Sequence, residues 1–268
     1  MKDKVVIITG ASSGIGRALA VEMANKGAKV VIAARNKAKL DELAGELKEV
    51  NQNIVAIQTD VTKANDCRSL IMIAVENFGG IDVLINNAGI SMRAIFEETE
   101  VDVLKKLMDV NFWGMVYCTK YALPYLLESK GSVVGVSSIA GYKGLPGRTG
   151  YSSSKFAMHG FLEVLRIENL KKGLHVLIAC PGFTASNIRN TALNQKGEMQ
   201  GESPRDEEKM MTAEEVARHI TKAVVKRKNT LVLTSQGKLT VCLNKFFPKF
   251  MDKMVYNHMA KEADSPFK

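Results

Sequence analysis

The stretch ITGASSGIGRAL, from Ile8 to Leu19, sets three glycines among small residues where an apolar run ends and a helical pattern begins. Glycine is a poor helix former, so its place at a helix start calls for another reason. Close approach of backbone supplies one. Gly10 lets the chain turn sharply, Gly14 lets backbone amides come near an anion, and Gly16 permits tight packing of helix on strand. A new helix also presents unsatisfied amides and the positive end of its dipole, a ready site for phosphate. Following a strand and opening a helix, the loop through Ser12, Ser13 and Ile15 is in the setting where such a turn holds a dinucleotide.

Outward from this loop, short Val- and Ile-rich runs recur at Val5–Ile8, Val30–Ala34, Ile54–Ile57, Val83–Ile85, Val133–Val136, Val176–Ala179 and Leu231–Leu233. Such continuous apolar runs suit strands buried on both faces. Between them lie stretches with helical spacing: Ile15–Lys26, Lys37–Glu49, Ala64–Phe78, a long one over Val101–Leu127, Tyr151–Lys171 and Thr212–Arg227. Alternation of this kind predicts a doubly wound, seven-stranded parallel sheet in a three-layer α/β/α Rossmann-type sandwich. Ligands of such sheets bind at the carboxyl ends of the strands.

The chain has 268 residues, 46% of them hydrophobic, enough for one buried core, and residues 1–268 are expected to form a single domain. Met1–Lys4 lead straight into an apolar run with no room for a signal peptide, which favours a cytoplasmic location. Cys67, Cys118, Cys180 and Cys242 are scattered, as are the four histidines, so neither a disulfide framework nor a metal site is expected. The net charge of +9 suits anionic partners, but the basic residues form no arginine-rich or aromatic-basic block, and nucleic acid is not expected.

The glycine loop does not stand alone. TGASSGIG at Thr9–Gly16, NNAG at Asn86–Gly89, Asn111, Ser137–Ser138, YSSSK at Tyr151–Lys155 and Pro181–Gly182 fall in the order and approximate spacing of the short-chain dehydrogenase/reductase family, which the chain resembles. The resemblance implies a catalytic set of Ser138, Tyr151, Lys155 and Asn111. Tyr151 and Lys155 lie one helical turn apart on one face, so the ammonium is expected to draw the phenol's pKa down toward a range useful for proton transfer. In the family pattern Ser138 holds the substrate oxygen, Lys155 also bonds the nicotinamide ribose, and Asn111 holds a water linking Lys155 to solvent. Cofactor contacts are expected from Gly10, Ser12, Ser13, Gly14, Ile15 and Gly16, from Asp60 and Val61 at the adenine, and from Asn86, Asn87, Ala88 and Gly89. Pro181, Gly182 and Thr184 complete the set with Tyr151 and Lys155. The family often carries a branched apolar residue at position 184 and Thr two places later, where this chain has Thr184 and Ser186.

The second strand ends AARNK, with Ala34 where an acidic residue would accept ribose hydroxyls and Arg35 next. A guanidinium there suits a 2′-phosphate, so NADP(H) is expected over NAD(H), with Arg17 and Lys37 adding to the field. The expected activity is hydride transfer between NADP(H) and a ketone or secondary alcohol. A non-catalytic NADP(H)-binding sensor is the alternative, but it has no use for Ser138, Tyr151 and Lys155 together. The family commonly forms homodimers or homotetramers.

Three regions carry less specific readings. The stretch Phe183–Met211 occupies the place of the family's substrate lid and is long and charged, as mobile functional loops are. Arg93, Lys143 and Arg148 fall in loops that rim the substrate cleft, where they serve either an anionic headgroup or, more simply, solubility. The extension 238–268 reads as one or two amphipathic helices interrupted near Pro248. Packing on its own domain or a partner subunit is favoured for it over peripheral membrane contact, the rarer use of such a pattern.

Overall fold

The computed structural model describes residues 1–185, 188–201, 210–262 and 265–267. Among them, seven strands form one sheet: β1 (Val5–Thr9), β2 (Lys29–Ala34), β3 (Ile54–Gln58), β4 (Val83–Asn86), β5 (Ser132–Val136), β6 (His175–Cys180) and β7 (Thr230–Val232). Their order is β3-β2-β1-β4-β5-β6-β7 and every pairing is parallel. The chain runs outward from β1 to β3, then crosses back to β4 beside β1. That reversal opens a crevice at the carboxyl ends of β1 and β4, where ligands of such sheets bind.

Side-chain alternation along each strand feeds two cores. Val6, Ile8, Val30 and Ile32 enter a layer with α1 (Gly14–Asn25), α2 (Lys37–Lys48) and α7 (Ala213–Val225). Ile7, Val31 and Ala33 point the other way, toward α3 (Ala64–Phe78), α5 (Gly114–Glu128) and α6 (Thr149–Glu168). Period-two alternation on a sheet covered on both faces thus explains why the strands read as unbroken apolar runs. The start of α7 is fixed by a capping box in which Thr212 Oγ1 accepts from Glu215 N at 3.2 Å and Glu215 Oε2 accepts from Thr212 N at 3.0 Å.

The expected single helix over Val101–Leu127 is three pieces: α4 (Val101–Met108), a π-helical turn (Asp109–Trp113) and α5. The cause is Asn111. Its side chain accepts from Ile90 N at 2.8 Å and donates to Ile90 O at 3.0 Å, pairing with the loop after β4 as a strand would. Widening the helix by one residue at that point is the π-bulge common at functional sites. Beyond β7, α8 (Ser235–Phe246) and α9 (Pro248–Met259) follow, divided at Pro248 where the periodicity places the break. Pro248 opens α9, the one place where a missing N–H costs nothing.

Candidate active site

The glycine loop is held against the β4 turn. Thr9 Oγ1 accepts from the amides of Asn87 and Ala88, both at 3.1 Å, and Asn87 Nδ2 donates to Thr9 O at 3.0 Å and Gly10 O at 3.2 Å. Gly10 has φ +66°, and a Cβ there would lie 2.8 Å from Ala88 Cα. At Gly16 a Cβ would fall 2.2 Å from the Gly10 carbonyl oxygen. The two glycines therefore let the first turn of α1 close on the loop, leaving helix amides facing the crevice. The carboxyl edge of β2 is joined on by Ala11 N, which donates to Ala33 O at 3.1 Å.

Across the crevice, α6 carries Tyr151, Lys155 and His159 at successive turns. Lys155 is 3% exposed; its Nζ donates to Val136 O at 3.0 Å and lies 5.6 Å from the centre of the Tyr151 ring. Burial lowers the ammonium's pKa to about 8. The expected lowering of Tyr151 by Lys155 is not found. Burial holds the phenol above its ordinary value, opposed by a hydrogen bond with Ser138 and by the charges of Arg148 and Arg189. The ammonium approaches the ring while bonded to a β5 carbonyl, and burial outweighs the Ser138 hydrogen bond and the two arginine charges that favour phenolate. Ser138 caps a 3-10 turn, its Oγ accepting from Ala140 N at 3.2 Å, which leaves the hydroxyl hydrogen to be donated to the phenol or to a substrate oxygen.

Behind Ser138 stands a group that the scattered histidines concealed. His159 Nε2 shares a hydrogen bond of 2.7 Å with Ser137 Oγ, and the Tyr142 ring meets the imidazole edge-on at 4.5 Å. Burial and then the Lys155 charge push the imidazole down to about 4, so it is neutral at physiological pH. The four-residue spacing Tyr151, Lys155, His159 was the available signal.

Asn111 adds a third anchor: besides Ile90, its Nδ2 donates to Ser154 Oγ at 2.9 Å. Both amide hydrogens are spent joining the β4 turn to α6. A Cβ on Gly89 would sit 3.2 Å from Asn111 Oδ1 and 3.6 Å from Lys155 Nζ, so both groups face that glycine. Asn86 Nδ2 donates to Thr119 Oγ1 at 3.1 Å, which makes Asn86 a support beneath the site. Asp60 Oδ1 accepts from Thr62 N at 3.1 Å and Thr62 Oγ1 at 2.8 Å, while the side chain of Val61 is buried against Gly114, leaving its backbone as the part that can meet a ligand. Thr184 Oγ1 donates to Gly182 O at 3.1 Å and so can offer a ligand only acceptor lone pairs in this rotamer. Ser186 lies outside the described residues.

Arg35 is exposed at the tip of β2, its carbonyl accepting from Gln58 Nε2 at 3.0 Å. Arg17 and Lys37, expected to support it, each carry an exposed ion pair. Arg17 is salt-bridged to Glu46, and Lys37 to Asp41 at 2.9 Å one turn along α2.

A cavity of about 350 Å³ joins these parts. Ile15, Asn87, Gly89, Ser138, Tyr151, Lys155, Pro181, Gly182 and Thr184 line it; Arg35, Asp60 and Val61 lie outside its lining. Its far wall is built by Leu145, by Phe183 and Ile188 of the expected lid stretch, and by Met254, Val255, His258, Met259 and Glu262 of the C-terminal extension, whose part in the site the sequence did not reveal. Met254, Val255, His258 and Met259 repeat at helical spacing, but nothing in that spacing says which face of the domain α9 covers.

The extension also settles the basic rim, against the idea of an anion-attracting cluster. Glu262 Oε2 lies 3.6 Å from both Arg93 Nε and Arg148 Nη2, all three side chains nearly buried, and Lys143 bonds Asp252. Part of the stretch after β6 packs on the domain. Leu193 is buried with Met92, Val103 and Leu107, and its backbone exchanges bonds of 2.8 and 2.9 Å with Arg93 and Ser91. Its most charged part, 202–209, lies outside the described residues.

The family described as short chain dehydrogenase matches residues 4–197. The chain is 43% identical over 187 residues to 11-beta-hydroxysteroid dehydrogenase 1A of Arabidopsis thaliana, covering 69% of this chain and 53% of that protein. It thus spans about half the length of that relative. It is 35% identical over 256 residues to 11-beta-hydroxysteroid dehydrogenase A of Sesamum indicum, covering 93% and 73%. Among solved structures, a short chain dehydrogenase/reductase from Burkholderia phymatum in complex with NAD shares the fold, with a TM-score of 0.82 at 24% identity, over 93% of this chain and 95% of that one.

Proposed function

Because this chain belongs to the short-chain dehydrogenase/reductase family of oxidoreductases, we propose that it transfers hydride between NADP(H) and an apolar ketone or secondary alcohol. The observation that carries this reading is the convergence of Ser138, Tyr151 and Lys155 on one cavity beside the glycine loop. The loop fits a dinucleotide: Gly10 and Gly16 leave no space for a Cβ, and α1 opens with free amides toward the crevice. Gly10 to Gly16 would hold the pyrophosphate, Asp60 and Val61 the adenine side, Asn87 to Gly89 and Lys155 the nicotinamide ribose, and Thr184 the carboxamide. The bound nicotinamide supplies or takes the hydride.

The chain's own residues handle the oxygen and its proton. Ser138 donates a hydrogen bond to the substrate oxygen, orienting the carbonyl. Tyr151, its pKa above the ordinary value, carries its proton at neutral pH and delivers it to that oxygen during reduction. Lys155, the ammonium held beside the ring, returns a proton to the phenolate, and Asn111 holds the β4 turn and α6 in register, with a lone pair of Oδ1 left to accept from a relaying water. A sensor would gain nothing from a buried lysine beside a buried tyrosine. The apolar wall from Ile139, Leu145, Phe183, Met254, Val255 and Met259 supports a lipophilic substrate, in keeping with the hydroxysteroid dehydrogenase names of the relatives. Following NADPH and NADH absorbance across a panel of cyclic and linear ketones tests the whole reading; turnover of none with either cofactor would refute it.

Two further results are expected. Arg35→Asp should weaken NADPH roughly 10- to 100-fold while leaving NADH within a few-fold, because a charge-assisted phosphate contact is replaced by repulsion. Equal effects on both cofactors in titration would make Arg35 a surface residue. For Lys155, the charged form prevails below its pKa of about 8 and is lost above it, so cofactor affinity should fall as pH rises through 8. Lys155→Met should bind weakly and without that pH dependence. A wild-type affinity flat from pH 7 to pH 9 would break the assignment.

A further inference from the structure

Outside the site, the most prominent unexplained feature is the outer face of the C-terminal extension. Helix α8 is fixed by Gly237 against Ile139 and by Asn244 Nδ2 donating to Tyr142 O at 3.1 Å. Helix α9 is fixed by Asp252 on Lys143 and, just beyond its end, by Glu262 between Arg93 and Arg148. Met251 and Met259 are spent on the inner face. Yet Leu239, Phe246, Phe247, Phe250 and Tyr256 remain 50 to 65% exposed, the phenylalanines crowded at the corner where α8 gives way to α9. Scattered exposed apolar residues need no explanation, but a rigidly held aromatic corner does.

Charge indicates what covers it. Between Ser235 and Glu262 the only carboxylates are Asp252 and Glu262, and both are committed to basic side chains of the domain. Lys245, Lys249 and Lys253 are exposed beside the aromatic corner in sequence, with Lys238 earlier on α8 and Lys261 beyond α9, and none of the five has an ion pair among the described residues. We propose that this face docks on an anionic lipid surface, the aromatic rings entering the headgroup boundary and the lysines meeting acidic lipids. A second copy of the chain fits it less well. An isologous contact would press lysines against the same lysines, while Asp252 and Glu262, the carboxylates of residues 235–262, are already paired within the domain. No helix among the described residues is long and apolar enough to cross a membrane, so the contact is peripheral. Met254, exposed at the edge of this face, also lines the cavity, so the docked surface adjoins the cavity mouth.

The test is cosedimentation of the full chain with phosphatidylcholine vesicles, with and without phosphatidylserine, in the absence of cofactor and substrate, so that it stands apart from the catalytic reading. Binding should require phosphatidylserine and weaken as salt is raised. Phe246→Ser combined with Phe250→Ser should reduce binding by at least roughly ten-fold. Lys245→Glu combined with Lys249→Glu should do the same with the aromatic corner intact, which guards against misfolding of the first variant. Absence of wild-type binding, or full binding by either double variant, would overturn the proposal. So would loss of oligomer mass in the variants without any lipid binding by the wild type, which would assign the face to a second copy.

Discussion

Tyr151→Phe should lower kcat by roughly 10² to 10⁴, the range spanned by a positioned general acid, while cofactor affinity stays within a few-fold. The reasoning rests on what the hydroxyl does. Its polar partner in the site is the Ser138 hydroxyl, which retains a bond to Ala140 N, so removing it leaves the fold almost unchanged. The ring keeps its place beside Lys155. Loss of one buried hydrogen bond amounts to about 1 kcal/mol of stability, too little to unfold the domain. A variant that binds cofactor and melts near the wild type but no longer turns over isolates the proton step. Turnover within about three-fold of wild type would remove Tyr151 from the mechanism.

Gly16→Ala should have the second largest effect, on binding and stability together. Its Cβ would lie 2.2 Å from the Gly10 carbonyl oxygen, 2.5 Å from Asn87 Nδ2 and 2.8 Å from the Gly10 carbonyl carbon. Two of those three atoms are backbone of the loop itself, so relief requires α1 to move off the crevice. Overpacking of this kind costs about 1–3 kcal/mol, and in a chain of this size each kcal/mol lowers Tm by roughly 2–4 °C. Displacing the helix start also withdraws the amides from the pyrophosphate, so affinity for either dinucleotide should fall by more than about ten-fold. Calorimetry and cofactor titration on one preparation separate the two effects. Wild-type binding with an unchanged Tm would show that the loop yields freely and that Gly16 has no special part in it.

What the sequence determined by itself was whatever local patterning controls. Val- and Ile-rich runs with helical stretches between them gave all seven strands within a residue or two, because the inner strands, buried on both faces, have no polar positions to obscure them, and the partly exposed edge strands β3 and β7 keep short runs of Val, Ile and Leu. The loop Gly10–Gly16 and the pair Tyr151 and Lys155 were legible because their spacing is a backbone matter, one tight turn and one helical turn. Tertiary structure decided the rest. The π turn at Asp109–Trp113 follows from Asn111 pairing with Ile90, 21 positions away, which no window on the helix contains. The lowering of the Tyr151 pKa that the spacing predicts is not found, because burial, a property of the assembled core, outweighs the groups that favour phenolate. The basic residues Arg93, Lys143 and Arg148 looked like an open rim until Asp252 and Glu262, more than a hundred positions on, closed over them. Amphipathic spacing told that the extension has an apolar face, but docking of α9 against the cavity divided that face, sending Met251 and Met259 inward and leaving Phe246, Phe247 and Phe250 in solvent. That division depends on which side of α9 meets the domain, a matter of three-dimensional proximity that linear periodicity does not encode.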